Sequence, residues 1–223
     1  MNYDQLTTEK RNNETMNLDV MPISDVLQIM NKEDMQVVNS VERVLPTIEK
    51  VIKKVVENLR NGGRLFYIGA GTSGRLGMLD ASECPPTFMT DPELVQTVMA
   101  GGKDAFFQAV ENAEDRLEDG MNKLKGKNIT PFDSVIGITA SGTTPFVMGA
   151  LEYAQSVGAF TVSLTSNVKS EVSRYAEEAI EVVVGPEILT GSTRLKAATS
   201  HKMILNMIST ASMVQLGKVY ENL

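Results

Sequence analysis

Apolar positions in this chain recur with two different periods. Val44, Leu45, Ile48, Val51, Ile52, Val55, Val56 and Leu59 fall at helical spacing, which predicts an amphipathic helix closed by Gly62-Gly63. Pro46 either opens that helix or kinks a longer one. Beyond it come short runs rich in branched and aromatic residues over 65–68, 94–99, 135–139, 160–164 and 180–184, which read as strands. The segments 104–112, 113–125, 144–156 and 193–217 carry mixed apolar and polar faces and read as helices. This alternation predicts an α/β fold: a three-layer sandwich around a mainly parallel five-stranded sheet, preceded by an N-terminal helical segment. The first ~20 residues are too polar to pack by themselves and are expected to form an arm that orders only against something else.

In open sheets of this kind ligands gather at the carboxyl ends of the strands, so the residues after each run carry the most information. Three of those ends are alike. Ile68 leads into Gly69-Ala70-Gly71-Thr72-Ser73-Gly74, Thr139 into Ala140-Ser141-Gly142-Thr143-Thr144-Pro145, and Leu164 into Thr165-Ser166-Asn167. A glycine turn at a helix N-terminus offers unpaired N–H groups and the positive end of the helix dipole, and Ser and Thr hydroxyls add donors, a combination suited to a phosphomonoester. Pro145 after Thr144 marks a helix start directly behind the Ser141 turn. The plainer alternative is that these Ser and Thr residues only cap helices. Gly69, Gly71 and Gly74 also satisfy the dinucleotide pattern G-x-G-x-x-G, but the second strand runs into Ala100-Gly101-Gly102 with no acidic residue to hold a ribose. No Gly-Lys-Ser or Gly-Lys-Thr of a Walker loop follows the turn.

Charge narrows the ligand further. Lys and Arg number 21 against 28 Asp and Glu, a net charge of −7, which argues against binding a nucleic-acid backbone. Any phosphate is therefore held locally. The single cysteine, Cys84, fits a reducing compartment, and with neither an apolar leader nor a run of ~18 apolar residues the reading is a cytoplasmic protein free of the membrane.

Gly69-Ala-Gly-Thr-Ser-Gly-Arg-Leu-Gly77, followed by Leu79-Asp-Ala-Ser-Glu-Cys-Pro-Pro-Thr-Phe88, resembles the signature of the N-acetylmuramic acid 6-phosphate etherases, members of the sugar isomerase (SIS) domain superfamily. The similarity continues through 109–115, Ala140-Ser-Gly142, Thr190-Gly-Ser192, Lys196 and 205–210. Two departures stand out: Met89 where the family commonly has Gly, and an end at Leu223 where family members continue into a further helical segment. The resemblance implies an SIS fold with an N-terminal arm and helices over 1–54, a sugar-phosphate-binding domain over 55–218, and the start of a missing C-terminal segment over 219–223. The regulator of glucokinase shares the fold and the Gly-Thr-Ser-Gly-Arg turn, so a sensor without turnover and an aldose–ketose isomerase are the alternatives.

The implied reaction cleaves the D-lactyl ether of N-acetylmuramic acid 6-phosphate. It needs two carboxyls in different protonation states and no metal or redox cofactor. By resemblance Glu83 is the acid for the lactate oxygen and Glu114 the base, and Glu111 binds sugar hydroxyls if it shares a helical face with Glu114. Candidate substrate contacts are Gly71, Thr72, Ser73, Ser141, Thr143, Thr144 and Ser192, with Lys196 as a cation for phosphate or carboxylate or else an ordinary lysine of a first helical turn. His201 reads as a packed or surface residue, Cys84 as structural, and Met203, Met207 and Met213 as core. One spacing resists a single-chain site: in a regular helix Glu83 lies about 15 Å beyond Ser73, farther than a hexose phosphate extends. Either that helix breaks early, or Glu83 serves elsewhere, and a homodimer with a shared site, Glu83 coming from the second subunit, is the expected way out.

Overall fold

The computed structural model describes residues 6–108 and 110–223. Residues 1–5 of the expected arm, and Ala109 within the segment of resemblance, lie outside them. Five strands, β1 (Leu65–Gly69), β2 (Val95–Met99), β3 (Ser134–Ile138), β4 (Phe160–Thr165) and β5 (Glu178–Glu181), form one sheet in the order β2-β1-β3-β4-β5. Every pairing is parallel. The helices are α1 (Ile23–Arg60), α2 (Gly71–Phe88), α3 (Asp104–Phe107), α4 (Leu117–Lys125), α5 (Pro145–Ser156) and α6 (Lys196–Gln215). Alternate side chains of each strand point to opposite faces and divide the core in two. Leu65 and Tyr67 of β1 join Ile136, Ile138, Val162 and Leu164 under α1, α2 and α6. Phe66 and Ile68 join Val135 under α4 and α5.

Several expected boundaries move, each for a local reason. The helix read from Val44 begins at Ile23 and runs unbroken for 38 residues, so Pro46 lies inside it. Pro46 is exposed, and water can serve the carbonyl that its missing N–H leaves free. The boundary expected between residues 54 and 55 falls within this helix. Instead of helices over 104–112 and 113–125, α3 stops at Phe107 and α4 starts at Leu117, because Asn112 takes a left-handed conformation (φ 58°) in the intervening turns. The last helix begins at Lys196 rather than near 193 and ends at Gln215. The last strand occupies Glu178–Glu181, two residues earlier than expected, although Val182 and Val184 stay buried in the core beyond it.

The arm does order, against its own chain. Three short 3₁₀ turns at Thr7–Glu9, Asn13–Thr15 and Leu18–Val20 follow the body. The Thr7 amide donates to Asn167 Oδ1 (2.6 Å), the Thr15 hydroxyl to the Ile188 carbonyl (2.8 Å) and Asn12 Nδ2 to Glu33 Oε2 (3.0 Å).

Helix α2 must lie close to β1, and its glycines make that possible. A Cβ on Gly69 would come within 2.7 Å of the Gly74 amide nitrogen, and one on Gly74 within 2.8 Å of the Gly69 carbonyl oxygen. A second lock is polar: buried Asp80 accepts hydrogen bonds from Tyr67 Oη (2.8 Å), Asn206 Nδ2 (2.6 Å) and Ser209 Oγ (3.0 Å), joining α2 to β1 and α6. Burial, and then the Asp80 charge, push the Tyr67 hydroxyl well above its usual pKa. Cys84 is buried beside this network, and its thiol is pushed up to about 12 by burial first and the charges of Asp80 and Glu83 second. Such a thiol is inert at neutral pH, in keeping with a structural role. Met213 is buried in the same core, with Met203 and Met207 packed against it.

Candidate functional site

The strand order reverses direction between β1 and β3, and at such a switch point the loops leaving neighbouring strands diverge and open a crevice. A cleft of about 240 Å³ occupies that position. One wall is Ala70, Gly71, Thr72 and Ser73, and the second is Thr139, Ala140, Ser141 and Thr144. Gly191, Thr193, Ala198 and His201 close it from the α6 side, with Glu9 and Glu114 also at its lining.

The first wall is an open helix N-terminus, and the second is the start of α5, where Pro145 has no N–H and the Phe146 amide donates to the Glu114 carbonyl (3.0 Å). Ala70 caps α2 in an extended conformation without any side-chain hydrogen bond, and Gly71 enters the helix at φ 51°, a conformation that glycine adopts at little cost. Thr144 caps α5 without a side-chain capping bond, its hydroxyl facing Thr139 instead, and Pro145 follows at the first helical position. The second wall holds its hydroxyls in a chain: Thr139 Oγ1 lies 2.7 Å from Thr144 Oγ1 and 3.3 Å from Ser141 Oγ. The Thr143 hydroxyl donates to Ser141 Oγ (3.0 Å), as does its amide (3.3 Å), which leaves the Ser141 proton for Thr139 or for a ligand. Two positive dipole ends and a row of donors suit a phosphoryl group, which needs acceptor-satisfying contacts in a chain of negative net charge.

The expected contacts sort themselves by place. Gly71, Thr72, Ser73, Ser141 and Thr144 line the cleft together. Thr143 does not line it but orients Ser141, and Ser192 yields its place to its neighbours Gly191 and Thr193. Lys196 points elsewhere. It is buried, with Nζ 2.5 Å from Glu33 Oε2, and Asn12 and Gln36 donate to the same carboxylate. A cation already matched to a buried anion is not available to a ligand, and removing one partner would strand the other charge. The N-terminus of α6 is occupied too, since Glu187 accepts from the amides of Lys196 (3.0 Å) and Ala197 (2.9 Å).

Glu114 stands at the cleft because its backbone is pinned: its carbonyl accepts the Phe146 amide (3.0 Å) in the first turn of α5. Arg75 steadies the approach to that loop by donating to the carbonyls of Phe106 (2.9 Å) and Ala105 (2.9 Å). Glu111 is exposed in the turn before Asn112 and does not line the cleft; without a helix there, it and Glu114 share no helical face.

His201 is both buried and part of the cleft floor. Burial drives its pKa down to about 4 against a bond to the Thr165 backbone that favours the protonated ring. Its Nε2 lies 3.1 Å from the Ser166 hydroxyl. The unfolded ring, at 6.5, takes up a proton that the folded ring refuses. Stability from this residue is therefore complete above that pH and is lost as pH falls toward about 4. His201→Gln is expected to flatten that part of the acid dependence, by up to about 3 kcal/mol, in urea unfolding midpoints followed from pH 7 to 4.5.

Comparison with known proteins places this geometry. Residues 47–155 match the family described as the glucokinase regulatory protein N-terminal SIS domain, and residues 110–211 match the SIS domain. The N-acetylmuramic acid 6-phosphate etherase of Clostridium beijerinckii is 55% identical over 223 residues, covering 100% of this chain and 73% of that one. That of Bacillus cereus is 58% identical over 220 residues, covering 99% and 75%. The chain belongs to the N-acetylmuramic acid 6-phosphate etherase family.

Solved structures agree on the fold of this etherase-family chain. A phosphoheptose isomerase from Francisella tularensis superposes with a TM-score of 0.67 at 21% identity, covering 87% of this chain and 100% of that one. The Vibrio vulnificus NanR protein complexed with ManNAc-6P does so with a TM-score of 0.62 at 13% identity, covering 92% and 68%. The etherase signature splits in space along α2. Its front, Gly71 to Ser73, lines the cleft, whereas Glu83 is exposed in the fourth turn, about 18 Å along the axis from Gly71. Glu9, Thr139 and Thr193 are cleft residues that sequence reasoning passed over. For Glu9 the polarity of the arm was the one visible signal, and it pointed only to a segment needing a surface; Thr139 was visible as a strand end.

Among the described residues no helix is long and apolar enough to cross a membrane.

Proposed function

We propose that the chain carries the reaction for which its relatives are named, cleaving the lactyl ether of N-acetylmuramic acid 6-phosphate to N-acetylglucosamine 6-phosphate and D-lactate. The observation that carries the reading is Glu114 lining the same small cleft as the phosphate-suited walls. The phosphoryl group sits against Gly71, Thr72, Ser73 and Ser141, which fixes the open-chain sugar at one end. C1 is an aldehyde and acidifies the C2 proton, which Glu114 removes. The electron pair forms the C2–C3 double bond and expels the ether oxygen from C3, and that oxygen takes a proton from a carboxylic acid as lactate leaves. Water then adds to C3 of the unsaturated aldehyde, and C2 regains a proton.

Glu83 is the acid in this reading, supplied by the partner subunit of a homodimer. Its exposure and its distance along α2 from the phosphate wall support that arrangement. Because C3 receives its oxygen from water, a reaction run in ¹⁸O-labelled water is expected to place label on the C3 hydroxyl of the sugar product and none on D-lactate. Label in lactate would mean cleavage of the other C–O bond, and a ketose product would mean isomerisation.

A further inference from the structure

Besides Glu114, the cleft has an acidic side chain that the reaction leaves without a task. Glu9 arrives on the N-terminal arm, far from Glu114 in sequence, and is held in place by a relay from the phosphate-suited wall. Asn167 Nδ2 donates to the carbonyls of Ala140 (3.0 Å) and Ser141 (3.3 Å) and to Thr8 Oγ1 (3.2 Å), while its Oδ1 accepts the Thr7 amide. The Thr8 hydroxyl, itself buried, spends its proton on Glu9 Oε1 (3.3 Å). Oε2 lies over Gly191, where a Cβ would come within 3.3 Å of it and where φ is 74°. A glycine there makes room for the carboxylate.

We propose that Glu9 is a substrate-contacting, specificity-determining residue that accepts a hydrogen bond from a hydroxyl or acetamido N–H of the sugar; the sugar's identity rests on the function proposed above. A carboxylate repels a phosphoryl group, so Glu9 gives the cleft a polarity. Donors line the walls at Ser73 and Ser141, an acceptor faces them from the arm, and the sugar phosphate enters in one orientation only. Asn167, bonded to both the arm and the Ser141 loop, keeps these two sides in register.

Calorimetric titration with N-acetylglucosamine 6-phosphate and, separately, with inorganic phosphate tests this. Glu9→Ala is expected to weaken the sugar phosphate by about 10–100-fold, the worth of one hydrogen bond to a charged group, and inorganic phosphate by less than about twofold. Glu9→Gln, which keeps the size and one acceptor oxygen, is expected to fall between them with an unchanged melting temperature. Equal loss of both ligands would overturn the proposal in favour of a merely structural arm, and so would unchanged affinity for the sugar phosphate. A wild-type protein that binds N-acetylglucosamine 6-phosphate yet releases no lactate from N-acetylmuramic acid 6-phosphate would sink the etherase reading and leave the Glu9 assignment standing.

Discussion

Glu114→Gln is expected to lower the rate of lactate release by about 10²–10⁴-fold, the usual worth of a positioned general base. The reason is specific to the first step. Glutamine keeps the shape of the side chain and its place on the loop pinned by the Phe146 amide, but it cannot take the C2 proton. Binding is expected to survive, because the phosphate-suited groups belong to other elements: inorganic phosphate affinity should change by less than about threefold. The diagnostic readout is exchange. In deuterated water the wild-type protein is expected to incorporate deuterium at C2 of the product, and the variant to lose that incorporation in step with lactate release. A variant that binds weakly but turns over bound substrate at the wild-type rate would make Glu114 a binding group instead.

Restored activity in mixed dimers is the second large effect. Glu83→Gln and Glu114→Gln homodimers should each be nearly inactive. Random re-pairing after co-refolding makes about half of the dimers hybrids, and a hybrid with a shared site holds one cleft with both native glutamates. Activity is therefore expected to rise to about a quarter of the wild-type value per subunit, from a background of a per cent or less. No recovery would place the acid within its own subunit, which would require α2 to unwind beyond Ser73. Helix α2 is continuous through Pro85 and Pro86 to Phe88, and Asp80 locks its middle to Tyr67, Asn206 and Ser209, so unwinding would expose a buried carboxylate network.

Fold class was legible in the chain because the parallel sheet is buried on both faces, and such strands read as short apolar runs wherever they lie. The boundaries that slipped did so where one residue outweighs a pattern. Asn112 can adopt a left-handed turn that a helical reading of 104–125 does not foresee, and exposed Pro46 leaves no apolar position unsatisfied, so α1 runs through it.

The site divided in the same way. Gly71, Thr72, Ser73, Ser141 and Thr144 were readable because each sits directly after a strand, where chain order and spatial order coincide. Lys196 looked like a free cation at a helix start. Glu33, far off on α1, decides otherwise, since a buried ammonium must be paired and the α6 N-terminus already holds Glu187. Glu9 had no chemical signal at all, because what places it in the cleft is Asn167, 158 residues away in the chain. By itself, then, the sequence determined the strands, three candidate strand-end turns of which two line the cleft and, through its signature, the family. Only the tertiary structure decided which carboxylates share a cleft and which cations are spent, because both are settled by contacts between segments that no local spacing encodes.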